Sequence, residues 1–358
     1  MSKNGRLEVI TTDESGRWDE ILQQVGAYAF YHRAAYHRLA ENRGEGEARL
    51  LVYLEDGHLV AFPILVRPVG STDIKDATSV RGFAGPAASH PSMPDDVLRR
   101  FRAELQDYLK QSGIISIYAR LNPLTCPTSL LDGLGATVEV GATVSLDLSV
   151  PSDVQFSRYR HGYRREIKRL RRLGFTFEEA SPESLGEFMR VYYDAMTRVN
   201  ADPEFYFGQD YFEFLFREMP DVMHLFLCKL DGIVASASIQ AVCSGIVESY
   251  MGGTSTSYVR FSPDKLKYDT VREWGKSIGA HTYHLGGGVG AQRGSLYDFK
   301  MGFGGREHIY STWRHVVDQK AYDDICSQVD HSSLITHHSS YFPAYRDPAL
   351  RQEVRHAA

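Results

Sequence analysis

One lysine stands in a glycine-rich stretch, residues 284–305, which contains eight glycines. Glycine lets a backbone approach a ligand closely, at a cost in conformational entropy. Lys300 lies there between Phe299 and Phe303, and a cation held in such a setting can stabilise negative charge that develops during a reaction. The pattern predicts a strand, a wide loop that carries Lys300, and a second strand. The alternative interpretation is that the glycines are turn residues and Lys300 is a solvated surface lysine.

Several other chemistries are not indicated by the sequence. The glycines form no Walker motif and do not open a helix within a βαβ unit, so neither a P-loop nor a dinucleotide site is expected. No Ser-His-Asp or Cys-His arrangement is evident, which argues against a covalent enzyme intermediate. The four cysteines include no C-x-x-C pair, and His331, His337 and His338 match no zinc spacing. We therefore predict neither a metal site nor a cofactor.

Residues 152–174 form the most basic part of the chain. They contain eight Arg or Lys and two acidic residues, a net charge of +6, in a protein whose total is −5. Tyr163, Ile167 and Leu170 recur at helical spacing, and Gly174 is a suitable helix stop, so one helix is predicted here. Such concentrated positive charge is typical of contact with a polyanion through its phosphates. A solvated helix face is the alternative.

The overall composition describes a globular protein without a global preference for nucleic acid or membrane. The 358 residues are 43% hydrophobic and 24% charged. That length allows two to three domains with real cores, and the near-neutral balance requires any RNA contact to be local. No apolar run approaches the roughly 20 residues that span a bilayer, and no signal-like segment follows the N-terminus. We expect a cytoplasmic protein without a membrane span, as a monomer or weak oligomer.

The two halves of the chain repeat the same order of predicted elements. Each half has a hairpin signal, Asp56-Gly57 in the first and Asp231-Gly232 in the second, because Asp-Gly favours a tight turn. A glycine-containing loop, a helix stopped by Gly113 or Gly279, and a strand follow in each half. The repetition predicts an α/β (α+β) fold of two duplicated domains, with mixed β-sheets flanked by helices.

The order of several short motifs resembles the Fem-type aminoacyltransferases, which belong with the GNAT-like acyltransferases. The resemblance covers roughly residues 30–325, and its motifs are residues 163–174, Tyr211-Phe212, Asp231-Gly232, residues 249–254 and residues 299–303. It implies GNAT-like domains at residues 1–150 and 151–318, the second carrying the reaction centre. It also implies a C-terminal helix within residues 319–358 that packs on the first domain.

Fem-type enzymes transfer an amino acid from aminoacyl-tRNA to an amine, and the resemblance assigns roles to residues of this chain. Lys300 would be catalytic, with Phe299 and Phe303 beside it in the substrate site. Tyr211 and Tyr250 would line the acceptor cavity. Phe207 also falls in this substrate-binding set, but it replaces an arginine found in members that bind a sugar-nucleotide peptide, which favours natural-product assembly over cell-wall modification. The residues implied to contact tRNA are Arg164, Arg165, Lys168, Arg169 and Arg172.

The predicted reaction is attack by a neutral amine of a small molecule or peptide on the ester carbonyl of aminoacyl-tRNA, which forms an amide. An α-amine has a pKa near about 8, so part of it is neutral without a strong base. Lys300 would stabilise negative charge on the tetrahedral oxygen or on the departing ribose oxygen. Asp298, Glu248 and Tyr250 are candidate proton acceptors, with structural roles as the alternative.

An acyl-CoA-dependent N-acyltransferase on the same fold is the chief alternative. Such enzymes hold the CoA diphosphate in a glycine-rich turn where a strand meets a helix N-terminus. The equivalent turn here, within residues 252–263, lacks the Q/R-x-x-G-x-G/A pattern, which favours aminoacyl-tRNA as the donor. A non-catalytic binding protein on the same fold is the third interpretation.

Overall fold

The computed structural model describes residues 5–70, 72–329 and 341–348. The chain forms two compact units, one from Met1–Glu139 with Ser311–Ala358 and one from Val140–Tyr310. The three C-terminal histidines considered as metal ligands lie outside the described residues, as do positions 330–340 and 349–358 of the predicted C-terminal helix. Within the described part of the chain, no helix is both long and apolar enough to cross a membrane.

The first unit is a mixed sheet with helices packed against it. Its helices are α1 (Ser15–Val25), α2 (Ala34–Asn42), α3 (Asp95–Gln111) and α10 (Gln319–Val329). Its strands are β1 (Leu7–Thr11), β2 (Glu47–Glu55), β3 (His58–Pro68), β4 (Lys75–Thr78), β5 (Ala87–Ala88), β6 (Ile114–Arg120) and the second half of β13 (Arg306–Val316). The strand order is β1-β2-β3-β4-β6-β13, with β5 paired to β3.

The second unit has the same kind of sheet. Its helices are α4 (Ser152–Arg158), α5 (His161–Arg172), α6 (Leu185–Arg198), α7 (Gln209–Glu218), α8 (Asp264–Ser277) and α9 (Ser295–Met301). Its strands are β7 (Ala136–Asp147), β8 (Thr176–Ala180), β9 (Met223–Leu230), β10 (Ile233–Cys243), β11 (Ile246–Thr254) and β12 (Thr282–Gly287). The strand order is β7-β12-β11-β10-β9-β8.

The predicted duplication is confirmed by the matching topology of the two units. In each, one strand and two helices precede a β-hairpin, and a fourth strand, a helix and a fifth strand of the shared order follow. The orders β1-β2-β3-β4-β6 and β8-β9-β10-β11-β12 are therefore equivalent. The last pair is parallel in both units, β4 with β6 and β11 with β12. A helix joins each parallel pair, as such a connection requires.

The two predicted hairpins are confirmed, and their turns explain the Asp-Gly signals. Asp56 and Gly57 have φ of 48° and 82°, and Asp231 and Gly232 have φ of 51° and 78°. Two successive residues with positive φ define the tight turn that matches the twist of paired strands. Each turn joins two antiparallel strands, β2 to β3 and β9 to β10.

The single helix predicted over residues 152–174 is wrong, because the chain forms two helices with a break between them. Tyr159 and Arg160 separate α4 from α5. Tyr159 is buried in the core of the second unit, and the Arg160 N–H donates to the Gly302 carbonyl at 2.8 Å. Long-range contacts of this kind outweigh local helix propensity.

The wide loop predicted around Lys300 is also wrong, because α9 occupies its second half. Tyr297 and Lys300 lie three residues apart and are both buried, as expected for one face of a helix. The glycines of this stretch instead lie around α9 and at the end of β12. Gly252 and Gly253, expected to begin a loop, lie within β11.

Candidate active site

The second unit contains two parallel strands that pair and then part. Within the fully described strands β11 and β12, pairing is limited to three positions and ends at Glu248 opposite His284. Both strands continue beyond this pair, β11 to Thr254 and β12 to Gly287. The parting leaves an opening in the sheet whose two edges are backbone, and concave sites of this kind commonly bind substrates.

Irregularities in both strands occur where they part. The register between β10 and β11 shifts so that Tyr250 has no partner opposite, which is a β-bulge. The register between β12 and β7 shifts at Leu285, and Gly286 has a φ of 72°. Bulges bend a strand and redirect its side chains, and they are common next to active sites.

Lys300 lies against the end of β12 beyond the parting. Its Nζ donates to the carbonyl of Gly287 at 2.6 Å. The lysine is only 8% exposed, so the interpretation of Lys300 as a solvated surface residue is wrong. A Cβ on Gly286 would lie 3.4 Å from this Nζ, so glycine leaves the amine uncrowded. One hydrogen bond occupies one of the three donors of an ammonium group, and two remain for a ligand.

The surroundings of Lys300 disfavour its charge. Burial, with a second contribution from the charge of Lys267, lowers the pKa of Lys300 to about 7. Lys267 is itself buried, which lowers its pKa, but Asp264 at 3.0 Å outweighs that effect and the net shift is upward. Lys267 therefore keeps its proton while Lys300 changes protonation near neutral pH. Functional lysines are often tuned in this way by burial and a neighbouring cation.

The aromatic residues next to Lys300 belong to one cluster. Phe303 is buried, and its ring centroid lies 5.1 Å from those of Tyr163 and Tyr268. Phe299 is half-buried, and its backbone carbonyl accepts a hydrogen bond from the Tyr163 hydroxyl at 3.2 Å. The cluster joins α5, α8 and α9. Because Phe299 is half-buried and Phe303 is fully buried, Phe299 is better placed to meet a substrate. Tyr163 was not predicted from the sequence to belong to this group.

The predicted acceptor residues come together on the β11 side of the opening. The hydroxyl groups of Tyr250 and Tyr211 are hydrogen-bonded to each other. The rings of Phe207 and Tyr211 are in tilted contact, with centroids 4.4 Å apart. The surroundings are aromatic, with Phe212 also in ring contact with Tyr211. This lining fits an apolar or aromatic group better than a diphosphate.

Glu248 and His284 form the buried pair at the point where the strands part. His284 Nδ1 lies 3.8 Å from Glu248 Oε2, and both side chains are almost inaccessible. Within the described part of the chain, Glu248 Oε1 has no hydrogen-bond partner. Among the proton acceptors considered from the sequence, Asp298 is exposed on α9 and Tyr250 is bonded to Tyr211. His284 was not named from the sequence, because its place opposite Glu248 depends on the strand register, which the sequence does not reveal.

The turn that corresponds to a CoA diphosphate site is occupied by a carboxylate. Asp194 on α6 accepts hydrogen bonds from the N–H of Thr256 at 2.7 Å and from the hydroxyls of Ser255 and Thr256 at 2.9 Å and 2.6 Å. These bonds from Thr256 lower the pKa of Asp194. Asp264 adds a second carboxylate in the first turn of α8. An anion would meet negative charge here, not free amide groups.

Helix α5 presents one basic face. Arg165, Lys168, Arg169 and Arg172 are exposed, whereas Ile167 and Leu170 are buried on the opposite side. Arg164 is half-buried at the edge of this face. Arg169 pairs with Glu166 at 3.1 Å, and exposed pairs of this kind are weak. Four exposed cations on one helix face are suited to contact the phosphates of a nucleic acid.

Comparisons with known proteins agree with this architecture. A family model described as an acetyltransferase (GNAT) domain matches residues 157–301. A crystal structure of FemX has 15% sequence identity and a TM-score of 0.71, covering 89% of this chain and 99% of that chain. L-PGS from Bacillus licheniformis has 15% identity and a TM-score of 0.54, covering 88% of this chain and 95% of that chain. A comparison with curated protein sequences finds no match.

The resemblance to Fem-type, GNAT-like acyltransferases is therefore confirmed at the level of the fold. The chain has the fold of FemX, and residues 157–301 of its second unit match the model of an acetyltransferase (GNAT) domain. The matched residues include β11, β12, α5 and α9, which are the elements that form the opening and position Lys300. These findings support an acyltransferase.

Proposed function

We propose that the protein transfers an amino acid from aminoacyl-tRNA to an amine of a small molecule or peptide. The observation that carries this proposal is the buried Lys300, bound to the last carbonyl of β12 where the paired strands have parted. A buried amine at the edge of a backbone-lined opening can meet a developing oxyanion in a low-dielectric setting. The resemblance to Fem-type enzymes and the shared fold of FemX support the choice of donor.

In the proposed reaction, the amine nitrogen attacks the ester carbonyl carbon of the donor. The bond from that carbon to the ribose oxygen then breaks, and an amide bond forms. Protonated Lys300 donates to the carbonyl oxygen while it carries negative charge. The amine loses one proton and the ribose oxygen gains one, so the overall reaction needs no oxidant and no net proton.

Glu248 is the proposed proton acceptor for the attacking amine. It lies at the last pair before the opening, and its Oε1 has no partner among the described residues. His284 Nδ1 lies 3.8 Å from the other carboxylate oxygen, close enough to attract it when the imidazole is protonated. A carboxylate so placed can take the proton after the carbon–nitrogen bond begins to form.

The structure favours an RNA donor over acyl-CoA because of Asp194. Its carboxylate already accepts a hydrogen bond from the Thr256 N–H, which a diphosphate would need as a donor. Positive charge instead lies on the exposed face of α5, where the phosphates of tRNA would bind. Since aminoacyl-tRNA is made in the cytoplasm, the proposal places the reaction there, with a monomer or weak oligomer as the active form.

The acceptor is proposed to bind through an apolar or aromatic group. Phe207, Tyr211 and Tyr250 form its side of the opening, and Phe207 cannot make the ionic contact that an arginine makes with a diphosphate. A natural-product intermediate fits this lining better than a sugar-nucleotide peptide.

The direct test of the function is transfer of label from mixed, radiolabelled aminoacyl-tRNA to small molecules of a cell extract. The account predicts a labelled product that disappears when the donor is treated with RNase before the assay. A parallel reaction with labelled acetyl-CoA separates the alternative donor. Saturable acetyl transfer without any effect of RNase would replace this proposal with an acyl-CoA-dependent enzyme.

A further inference from the structure

A cavity of about 200 Å³ lies in the second unit beside the residues assigned to the reaction centre and shares Phe303 with them. It is bounded by the end of β7, the last turn of α4 and the turn that follows α9, residues 303–306. Tyr159 and Phe303 form its floor, with ring centroids 5.1 Å apart. Neither the basic face of α5 nor Lys300 lines this cavity.

The cavity has a cationic rim. Arg158 and Arg306 line it and are exposed, and among the described residues neither makes an ion pair. Arg272 lies at the base, where Asp269 at 2.9 Å and Glu273 at 2.5 Å balance its charge. Asp147 is the one carboxylate among the lining residues. Its Oδ1 already accepts hydrogen bonds from the N–H and hydroxyl of Ser149, at 3.0 Å and 2.6 Å.

Two glycines shape the cavity and are not explained by the proposed reaction. Gly304 has a φ of 69°, and a Cβ there would lie 2.7 Å from the Cβ of Arg158. A Cβ on Gly305 would lie 2.5 Å from the Cγ1 of Val144. Glycine at both positions lets the turn approach α4 and β7 closely. A side chain at position 304 would push the turn away from α4, and one at position 305 would push it away from β7, so either would alter the cavity wall.

We propose that this cavity binds a phosphate group. Arg158 and Arg306 offer planar, multidentate donors that suit phosphate oxygens, and the volume accepts one phosphate with its ester linkage. Asp147 is the competing anion, since hydrogen bonds from Ser149 and, more weakly, the charge of Arg158 lower its pKa. The phosphate can come from an RNA backbone or from a free nucleotide such as coenzyme A. The RNA is the source assigned here, and this part rests on the proposed function.

The contacts next to the cavity favour the RNA backbone. The Arg160 N–H donates to the Gly302 carbonyl at 2.8 Å, which ties the start of α5 to the turn that carries Arg306. Arg158 lies two residues before this contact, and the exposed cations of α5 follow it. An RNA strand on α5 can therefore place a phosphate in the cavity while its end approaches α9.

The test uses the full-length protein and the double variant Arg158→Gln with Arg306→Gln. Inorganic pyrophosphate is titrated by calorimetry, and a minihelix RNA ending in CCA is titrated by fluorescence anisotropy over a range of salt. The matched control is Arg99→Gln with Arg217→Gln, since both arginines are exposed and remote in sequence. Thermal unfolding of each variant verifies folding, and the single variant Arg306→Gln serves if the double variant is unstable.

The proposal predicts that the wild type binds pyrophosphate in the millimolar range and that the double variant binds it at least tenfold more weakly. The minihelix should compete with pyrophosphate, and the double variant should lower the salt slope by about two. Unchanged pyrophosphate binding by the folded double variant would overturn the phosphate site. Competition by coenzyme A but not by the minihelix would keep the phosphate site and overturn the RNA assignment, whereas the proposed donor is tested separately by the RNase-sensitive transfer.

Discussion

At the scale of single residues, Lys300 is distinguished by a charge that the fold disfavours. Burial and the neighbouring Lys267 lower its pKa to about 7 in the folded protein. In the unfolded chain, the pKa of the same amine is near its ordinary value of 10.5. Between these two values the unfolded state binds more protons than the folded state, so this amine makes stability rise with pH. Below pH 7 the buried, protonated amine destabilises the fold to its full extent. This destabilisation decreases as the pH rises toward 10.5.

Lys300→Met is therefore expected to be more stable than the wild type at pH 7. The variant removes the cost of burying the amine but loses the hydrogen bond to Gly287, which gives a net gain of roughly 1–3 kcal/mol. Urea denaturation at several pH values measures this difference, which should shrink as the pH rises toward 10. A difference that stays constant with pH would show that Lys300 has an ordinary pKa.

Glu248→Gln tests the proposed proton acceptor. The substitution keeps the shape of the side chain and removes its basicity, so turnover should fall by about 100-fold, with little change in the KM of the acceptor. Asp298→Asn is the control, because Asp298 is an exposed carboxylate on the same helix as Lys300. Equal turnover of wild type and Glu248→Gln would exclude Glu248 as the acceptor.

At the scale of elements, α5 is proposed to bind the tRNA. Arg165→Glu with Arg169→Glu reverses two charges four residues apart on its exposed face. Each lost phosphate contact should lower the slope of log affinity against log salt by about one unit. The control, Arg99→Glu with Lys110→Glu, makes the same change of net charge on exposed positions of α3. A solvated face would leave both affinity and slope at wild-type values, and both double variants would then behave alike.

The contact between α5 and α9 is expected to position Lys300. A Cβ on Gly302 would overlap the ring of Tyr163, whereas a Cβ on Gly294, at the start of α9, would meet nothing within 4 Å. Gly302→Ala should therefore displace α9 and lower turnover at least tenfold, while tRNA affinity stays within about twofold. Gly294→Ala is the matched control. If Gly302→Ala turns over normally, the packing of Tyr163 on α9 does not position Lys300.

Most elements could be predicted from the sequence because their signals are local. The Asp-Gly hairpins and the glycine stops at Gly113 and Gly279 need only a positive φ, which both glycines have. The break between α4 and α5 could not be predicted, because it depends on the distant Gly302 carbonyl. The helix α9 was missed because the surrounding glycines suggested a loop.

The site was predicted only in part, because some of its features depend on contacts between segments that are distant in sequence. Lys300, Tyr211 and Tyr250 were named from the sequence, and the structure places Lys300 at β12 and Tyr250 on β11. The parting of these strands, and the Glu248–His284 pair beneath it, depend on register. Register is a property of two segments far apart in sequence, so no local pattern reveals it.

At the scale of the whole molecule, positive charge is concentrated in one short segment of the second unit. The whole chain has a net charge of −5. Residues 152–174 carry +6, so the remaining residues together carry −11. A polyanion therefore has one favourable region on an otherwise acidic protein. We retain as a proposal the division into two duplicated domains, residues 1–150 and 151–318, with the reaction centre in the second domain.

The most direct test of the whole account is the single-turnover rate of Lys300→Met with its labelled aminoacyl-tRNA and acceptor. Methionine keeps an unbranched apolar side chain in the same space and deletes the amine. If protonated Lys300 stabilises the oxyanion, the rate should fall about 100-fold or more, while the affinities for tRNA and acceptor change less than about twofold. A rate within about twofold of the wild type would contradict the account, because the parted strands would then hold no catalytic amine.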